Sequence, residues 1–162
     1  MLQLIKATLQ DISDIQNIAQ ITWRHAYLDI IPPQQLEFML EYLYNDNQLS
    51  EQMSNEVHYH IIIDGEEKMG FIAFEKQKDA SVKIHKIYIL PTFQGLGLGK
   101  LLIDRAIKFA QDLELNKVTL NVNRQNKAVN FYEYLGFKIA YAQDVAIPNG
   151  YFMYDYVMEK NL

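Results

Sequence analysis

Residues 83–110, KIHKIYILPTFQGLGLGKLLIDRAIKFA, decide how the rest of the chain is read. Ile84, Ile87, Tyr88, Ile89 and Leu90 favour an extended strand. Pro91 ends it, because proline offers no N–H to a ladder. Gly95, Gly97 and Gly99 follow at alternate positions, where they let the backbone turn tightly and let a bulky group approach it. Beyond them Leu98, Leu101, Leu102, Ala106, Phe109 and Ala110 recur at helical spacing. A helix that begins on such a turn carries unpaired N–H groups and partial positive charge at its mouth. Strand, glycine turn and helix together make an anion site, most naturally for phosphate.

Two familiar phosphate patterns fail here. A P-loop ending at Gly99-Lys100 needs glycine at position 94, where Gln94 stands, and a hydroxyl at position 101, where Leu101 stands. The dinucleotide pattern GxGxxG fails because Gly97-x-Gly99 leads to Leu102 and Gly95-x-Gly97 leads to Lys100. What remains is Gln94-x-x-Gly97-x-Gly99, set just past a strand.

Outward from this unit, the sequence predicts a first strand at Leu2–Ala7 and a Thr8/Asp11 capping box. A helix follows to about Tyr27, with Ile12, Ile15, Ile18, Ala19 and Thr22 as its apolar stripe. Its end is unusually aromatic and polar, with Trp23, Arg24, His25 and Tyr27. Pro32-Pro33 opens a second helix to Tyr44, and a short one spans about 48–54. Strands at 57–64 and 68–76, joined at Asp64-Gly65, form a meander with the strand at 83–90. After the long helix comes a strand at 117–122, parallel to the strand at 83–90 because a helix connects them. A short helix at 126–135 is closed by Gly136, and two last strands flank Pro148-Asn149-Gly150.

The chain has 162 residues, 49% hydrophobic and 22% charged, which predicts one domain. No run approaches ~18 apolar residues, so no membrane span is expected, and the N-terminus lacks a signal-peptide core. There is no cysteine, hence no disulfide, thiolate nucleophile or cysteine metal site. A cytoplasmic location fits. The net charge of −5 and the lack of a basic stripe argue against nucleic acid and mildly favour a cationic substrate. His58 and His60 share a strand face but have no third ligand at suitable spacing, so they are read as solvated strand residues and no metal is expected.

The Gln94–Gly99 pattern resembles the pyrophosphate motif Q/R-x-x-G-x-G/A of the GCN5-related N-acetyltransferases (GNAT). A second motif of that family, F/L-Y-x-x-x-G-F after the fifth strand, is matched by Phe131-Tyr132 and Gly136-Phe137 in the expected order. The resemblance extends over nearly the whole chain, from Leu2 to Lys160. It implies an α/β (α+β) fold: a central mixed, mostly antiparallel sheet of about seven strands, with a parallel central pair and flanking helices. It also implies acetyl transfer from acetyl-CoA to an amine.

Carried over residue by residue, the backbone of Gly95, Leu96, Gly97, Leu98, Gly99 and Lys100 would hold the cofactor's phosphates, with Gln94 bracing the loop. Ile87, Tyr88 and Ile89 would line the pantetheine arm, and an N–H near Ile89 would meet the oxyanion. The family's pantetheine asparagine is displaced here. Asn126 is the favoured counterpart, with Gln125 and Asn123 as alternatives. Tyr132, protonated at neutral pH with a phenol pKa near ~10, is the candidate acid for the departing thiolate. His85 stands where many members carry a glutamate. By period two it shares a face with Ile87 and Ile89, which makes it the candidate base. Trp23, His25, Tyr27, Glu41, Tyr44, Tyr151 and Tyr154 are the candidate acceptor residues, suited to a cationic amine. The long N-terminal insert, with Trp23, Tyr27, Pro32-Pro33 and Tyr44, together with the Met-Tyr-Asp-Tyr ending, is similar to bacterial spermidine/spermine N-acetyltransferases. The expected partner is a small-molecule amine; a protein amine and a CoA-binding sensor are the alternatives, and a homodimer stays open.

Overall fold

The computed structural model describes all of residues 1–162. Seven strands form one sheet: β1 (Leu2–Lys6), β2 (His58–Asp64), β3 (Glu67–Lys76), β4 (Val82–Ile89), β5 (Lys117–Asn123), β6 (Lys138–Ile147) and β7 (Tyr151–Asn161). Their order is β1-β2-β3-β4-β5-β7-β6. All neighbours are antiparallel except β4 and β5, which run parallel as the helical connection requires. The helices are α1 (Ile12–Tyr27), α2 (Pro33–Tyr44), α3 (Asp46–Ser54), α4 (Leu98–Asp112) and α5 (Ala128–Tyr134). None is long and apolar enough to cross a membrane.

Each face of the sheet carries its own core. On one face, α1, α2 and α3 bury Ile15, Ile18, Trp23, Leu40 and Leu49 against Tyr59, Ile61 and Phe71. On the other, α4 and α5 bury Leu102, Ile103, Ala106 and Tyr132 against Ile72, Phe74, Ile84 and Leu120. The central strands are therefore apolar on both sides, which is why β3 reads as a continuous run rather than an alternation. The capping box forms as expected: the Thr8 N–H donates to Asp11 Oδ2 at 2.8 Å and starts a single 3₁₀ turn ahead of α1.

Two irregularities shape the middle of the sheet. The β3–β4 register shifts between Ala73 and Phe74, where Ala73 pairs Lys86 and Phe74 pairs Ile84, so His85 is the extra residue of a bulge. The β4–β5 ladder covers three pairs, Val82–Val118, Lys83–Thr119 and Ile84–Leu120, and then stops, although both strands continue. The sheet is split from that point upward.

Candidate active site

The split between β4 and β5 opens a cavity of about 150 Å³. Ile87, Tyr88 and Ile89 form one wall, Asn121 and Val122 the other, and Tyr27, Asn126 and Tyr132 close its ends. From His85 to Ile89 the β5-facing edge of β4 carries no ladder partner. Such an edge is open to an extended polar chain laid along it as an additional strand.

The glycine loop sits at the top of this split. Pro91–Phe93 make one 3₁₀ turn, and Gly95 and Gly97 take φ of 82° and 80°, a conformation that any side chain would strain. Gly97 is the N-cap of α4 and supplies no side-chain cap. As a result, none of the backbone N–H groups from Gly95 through Lys100 finds a partner within the chain. Six consecutive free donors at the positive end of a fifteen-residue helix make an anion cradle. Gln94 Nε2 donates to the Ile89 carbonyl at 3.1 Å, so the side chain ties the loop to the end of β4. Gly99 lies under the Phe131 ring, where a Cβ would come within 2.9 Å of the ring, and this fixes α5 against the start of α4. Lys100 reaches Asp104 one turn on, at 2.7 Å. It is a solvated partner of that carboxylate more than a member of the cradle.

Tyr132 is buried on α5, packed against Phe131 and Phe137, and faces the split. Burial pushes its phenol well above the ordinary tyrosine value, so it keeps its proton at any physiological pH. Tyr27 enters the same space from the end of α1; burial raises its pKa too, while Asn126 and Tyr88 lie close enough to oppose the shift. Asn126 Oδ1 also accepts from the Ala128 N–H at 2.9 Å, in the turn that leads into α5.

This arrangement can hold a phosphorylated, chain-like ligand with its reactive end between Tyr132 and Tyr27. Residues 27–160 match the model of the acetyltransferase (GNAT) domain family. The chain belongs to the GNAT family.

Among GNAT relatives, the peptidyl-lysine N-acetyltransferase YjaB of Salmonella typhimurium is 33% identical over 85 residues, 52% of this chain and 52% of that protein. A ribosomal protein bS18-alanine N-acetyltransferase of Haemophilus influenzae is 33% identical over 76 residues, 47% of this chain and 51% of that protein. Across the curated relatives, the aligned stretch spans from 34% to 60% of their length. The fold is that of the PaiA N-acetyltransferase from Thermoplasma acidophilum, solved in complex with coenzyme A. The two superpose with a TM-score of 0.85 at 21% identity, over 100% of this chain and 99% of that one.

Several residues singled out by the GNAT resemblance lie elsewhere than expected. His85 does not share a face with Ile87 and Ile89. Those two pack toward α4, whereas the bulge turns His85 to Glu75, whose Oε1 lies 2.7 Å from its Nε2. It still borders the cavity. Burial lowers its pKa and the Glu75 carboxylate raises it, with burial the larger effect, so the ring is neutral near pH 7.

Of the seven acceptor candidates, only Tyr27 lines the split. Trp23 and Tyr44 are core, the indole N–H donating to the Tyr44 hydroxyl at 3.2 Å. Glu41 and Tyr44 border a separate polar depression beside α1. His25 and Tyr154 are exposed, and Tyr151 packs on Phe38. His60 is not solvated: it is 5% exposed, stacked on Phe74, with Nδ1 unpartnered. No three metal-ligating side chains cluster anywhere in the chain.

Sequence reasoning passed over Lys86 and Asp155. Both are charged residues on strands that turn inward, at 7% and 9% exposure. Lys86 Nζ donates to the Tyr59 hydroxyl at 2.8 Å and to Gln52 Oε1 at 3.1 Å, and it sits 4.8 Å from the Tyr44 ring centre. It ties β4 to α3 on the side away from the cradle. The short hydrophobic spacing around both residues gave no sign of a buried charge, because period two breaks at the His85 bulge and the Tyr-rich end of the chain resembles an exposed hairpin.

Proposed function

We propose that this protein transfers an acetyl group from acetyl-CoA to a primary amine by direct attack within a ternary complex. The observation that carries the reading is the alignment of the unladdered β4 edge with six unpaired N–H groups at the start of α4. Pantetheine would pair with Ile87–Ile89 and the pyrophosphate would rest on Gly95–Lys100, with Asn126 beside the arm. A backbone N–H near Ile89 would receive the oxyanion as the tetrahedral intermediate forms.

In the transfer, the amine nitrogen loses a proton, attacks the thioester carbonyl and forms the C–N bond. The C–S bond then breaks and the thiolate takes a proton from Tyr132. His85, neutral and held by Glu75, takes the amine's proton directly or through water. The acceptor is a small-molecule amine, with polyamines among the candidates. A protein amine is the second reading, supported by the two relatives that act on peptidyl lysine and on a ribosomal-protein alanine.

A thiol-release assay with acetyl-CoA against spermidine, spermine, amino acids, lysine peptides and alanine-terminal peptides tests the proposal. Turnover with one amine class is expected. Tight CoA binding with no turnover on any amine would leave a CoA-binding sensor instead.

A further inference from the structure

Asp155 is a buried carboxylate that the fold leaves almost unpaired. On β7, Met153 belongs to the core beneath α1 and Met158 to the core beneath α4. Strand alternation therefore turns Asp155 toward α1. Alternation on β5 does the same for Asn121 and Asn123, between and beyond the inward Leu120 and Val122. Asn123 pairs directly with Asp155 across the two strands. The result is a polar cluster on the α1 side of the split, the face on which Lys86 is also buried.

The partners of Asp155 are few. Asn121 Nδ2 donates to Oδ2 at a long 3.4 Å, and Oδ1 takes no hydrogen bond from the protein, yet it is not sealed from solvent. Arg124 is adjacent but spends its guanidinium elsewhere, donating from Nε to the Asp155 backbone carbonyl at 3.1 Å and pairing with Asp144. No basic side chain forms a salt bridge with Asp155, although eight other ion pairs form in the molecule. A carboxylate at 9% exposure without a cation is costly and is seldom kept for packing. Its neighbours Asn121 and Tyr27 both line the cavity, and the Asp155 charge is felt at the Tyr27 hydroxyl.

We propose that Asp155 is the acceptor-recognition residue: its carboxylate receives the substrate as an alkylammonium ion, beside Asn121 and Tyr27. This rests on the acetyltransferase reading and sharpens it, because it selects amines that are charged at neutral pH over weakly basic ones. Burial raises the Asp155 pKa, while Asn121, Arg124 and Lys83 lower it, and Tyr27 is the titratable group that faces it from α1. A cation arriving there would favour the charged form over the neutral one.

The test uses the full chain saturated with CoA, with n-butylamine as the charged probe and n-butanol as its neutral counterpart, followed by amide shifts of Asn121, Asn123 and Asp155. Wild type, Asp155→Asn and Asp155→Glu are compared at pH 7. The expected result is that butylamine binds wild type at least about tenfold more tightly than Asp155→Asn, the scale of losing one partner of a desolvated charge pair. Asp155→Glu recovers part of the difference, butanol does not distinguish the three, and CoA affinity is equal in all. Butylamine binding that is absent in wild type, or equal in Asp155→Asn, overturns the assignment. So does a parallel loss of CoA affinity, which would mark Asp155 as structural. Failure of the wild type to bind CoA at all would instead remove the acetyltransferase reading, independently of Asp155.

Discussion

Tyr132 keeps its proton because its ring is packed among Phe131, Phe137 and the α4-side core, and a phenolate there would have no solvent. A group that stays protonated is suited to giving its proton to a departing thiolate. Tyr132→Phe should lower turnover by about 10²–10⁴-fold, the usual range for loss of a general acid, while CoA affinity stays near wild type. Steady-state rates set beside CoA titrations check this; unchanged turnover would remove the role. His85 has the opposite requirement, since it must be neutral to accept a proton. Burial sets its pKa below the ordinary 6.5, so activity should fall only as pH drops through a value lower than that. Glu75 supports the charged form, and Glu75→Gln should move the acid limb lower still, visible in the pH profile of kcat/KM. At this scale the sequence was most informative where a motif fixed the residue, as at Tyr132, which lines the split; the displaced asparagine left Asn126, Gln125 and Asn123 open. The sequence was least informative for acceptor residues, because aromatic side chains near a helix end serve core and pocket alike. Trp23 and Tyr44 went to the core, and the buried Asp155 carried no local mark.

The strand–turn–helix unit was legible almost to the residue, since Pro91, the alternate glycines and the helical leucines each impose a local conformation that packing does not override. The bulge at His85 was not legible. It depends on β3 pairing across from it, and nothing in KIHKIYI signals one residue too many. That one residue moves His85 to the Glu75 side and aims Lys86 at α3. The loop supports a test of what the glycines do. Gly97→Ala places a side chain at φ 80°, costing about 1–2 kcal/mol, and should also turn the cradle's N–H groups out of line. Gly65→Ala makes the same backbone demand at φ 60° in the distant β2–β3 turn, with open space around it. Both variants should lose comparable thermal stability. Only Gly97→Ala should weaken CoA binding, by about tenfold or ~1.4 kcal/mol, as read by calorimetry. Equal CoA affinity in the two would mean that the loop geometry does not hold the phosphates.

Across the whole molecule, one sheet separates two cores of equal size, and each core buries an ionisable base away from the cradle. His60 is held on the α4 side with a pKa lowered by burial to about 4, and Lys86 on the α1 side with a pKa lowered to about 7. Both bind protons less readily folded than unfolded, so for both the unfolded chain holds more protons over a window of pH. For His60 the window runs from 6.5 down to about 4, and stability is lost as pH falls through it. For Lys86 it runs from about 7 to 10.5, and stability rises with pH across it. The buried tyrosines reverse the trend only near pH 10 and above, where an unfolded phenol ionises and Tyr44, Tyr88 and Tyr132 do not. These two bases should therefore contribute stability that grows from pH 4 to about 9, instead of peaking near neutrality, with the raised pKa of Asp155 opposing the gain at the acid end. Thermal melts across that range check it, and two variants divide the slope. His60→Leu, which also removes the unpartnered Nδ1, should lessen the slope of the acid segment below 6.5, leaving the part that His58 and His85 contribute. Lys86→Met should flatten the alkaline segment above 7, while lowering the melting temperature at all pH values, because Tyr59, Gln52 and the Leu43 carbonyl lose their common donor. A wild-type profile already flat above pH 7 would mean that Lys86 stays charged in the fold, held by those three acceptors and the Tyr44 ring.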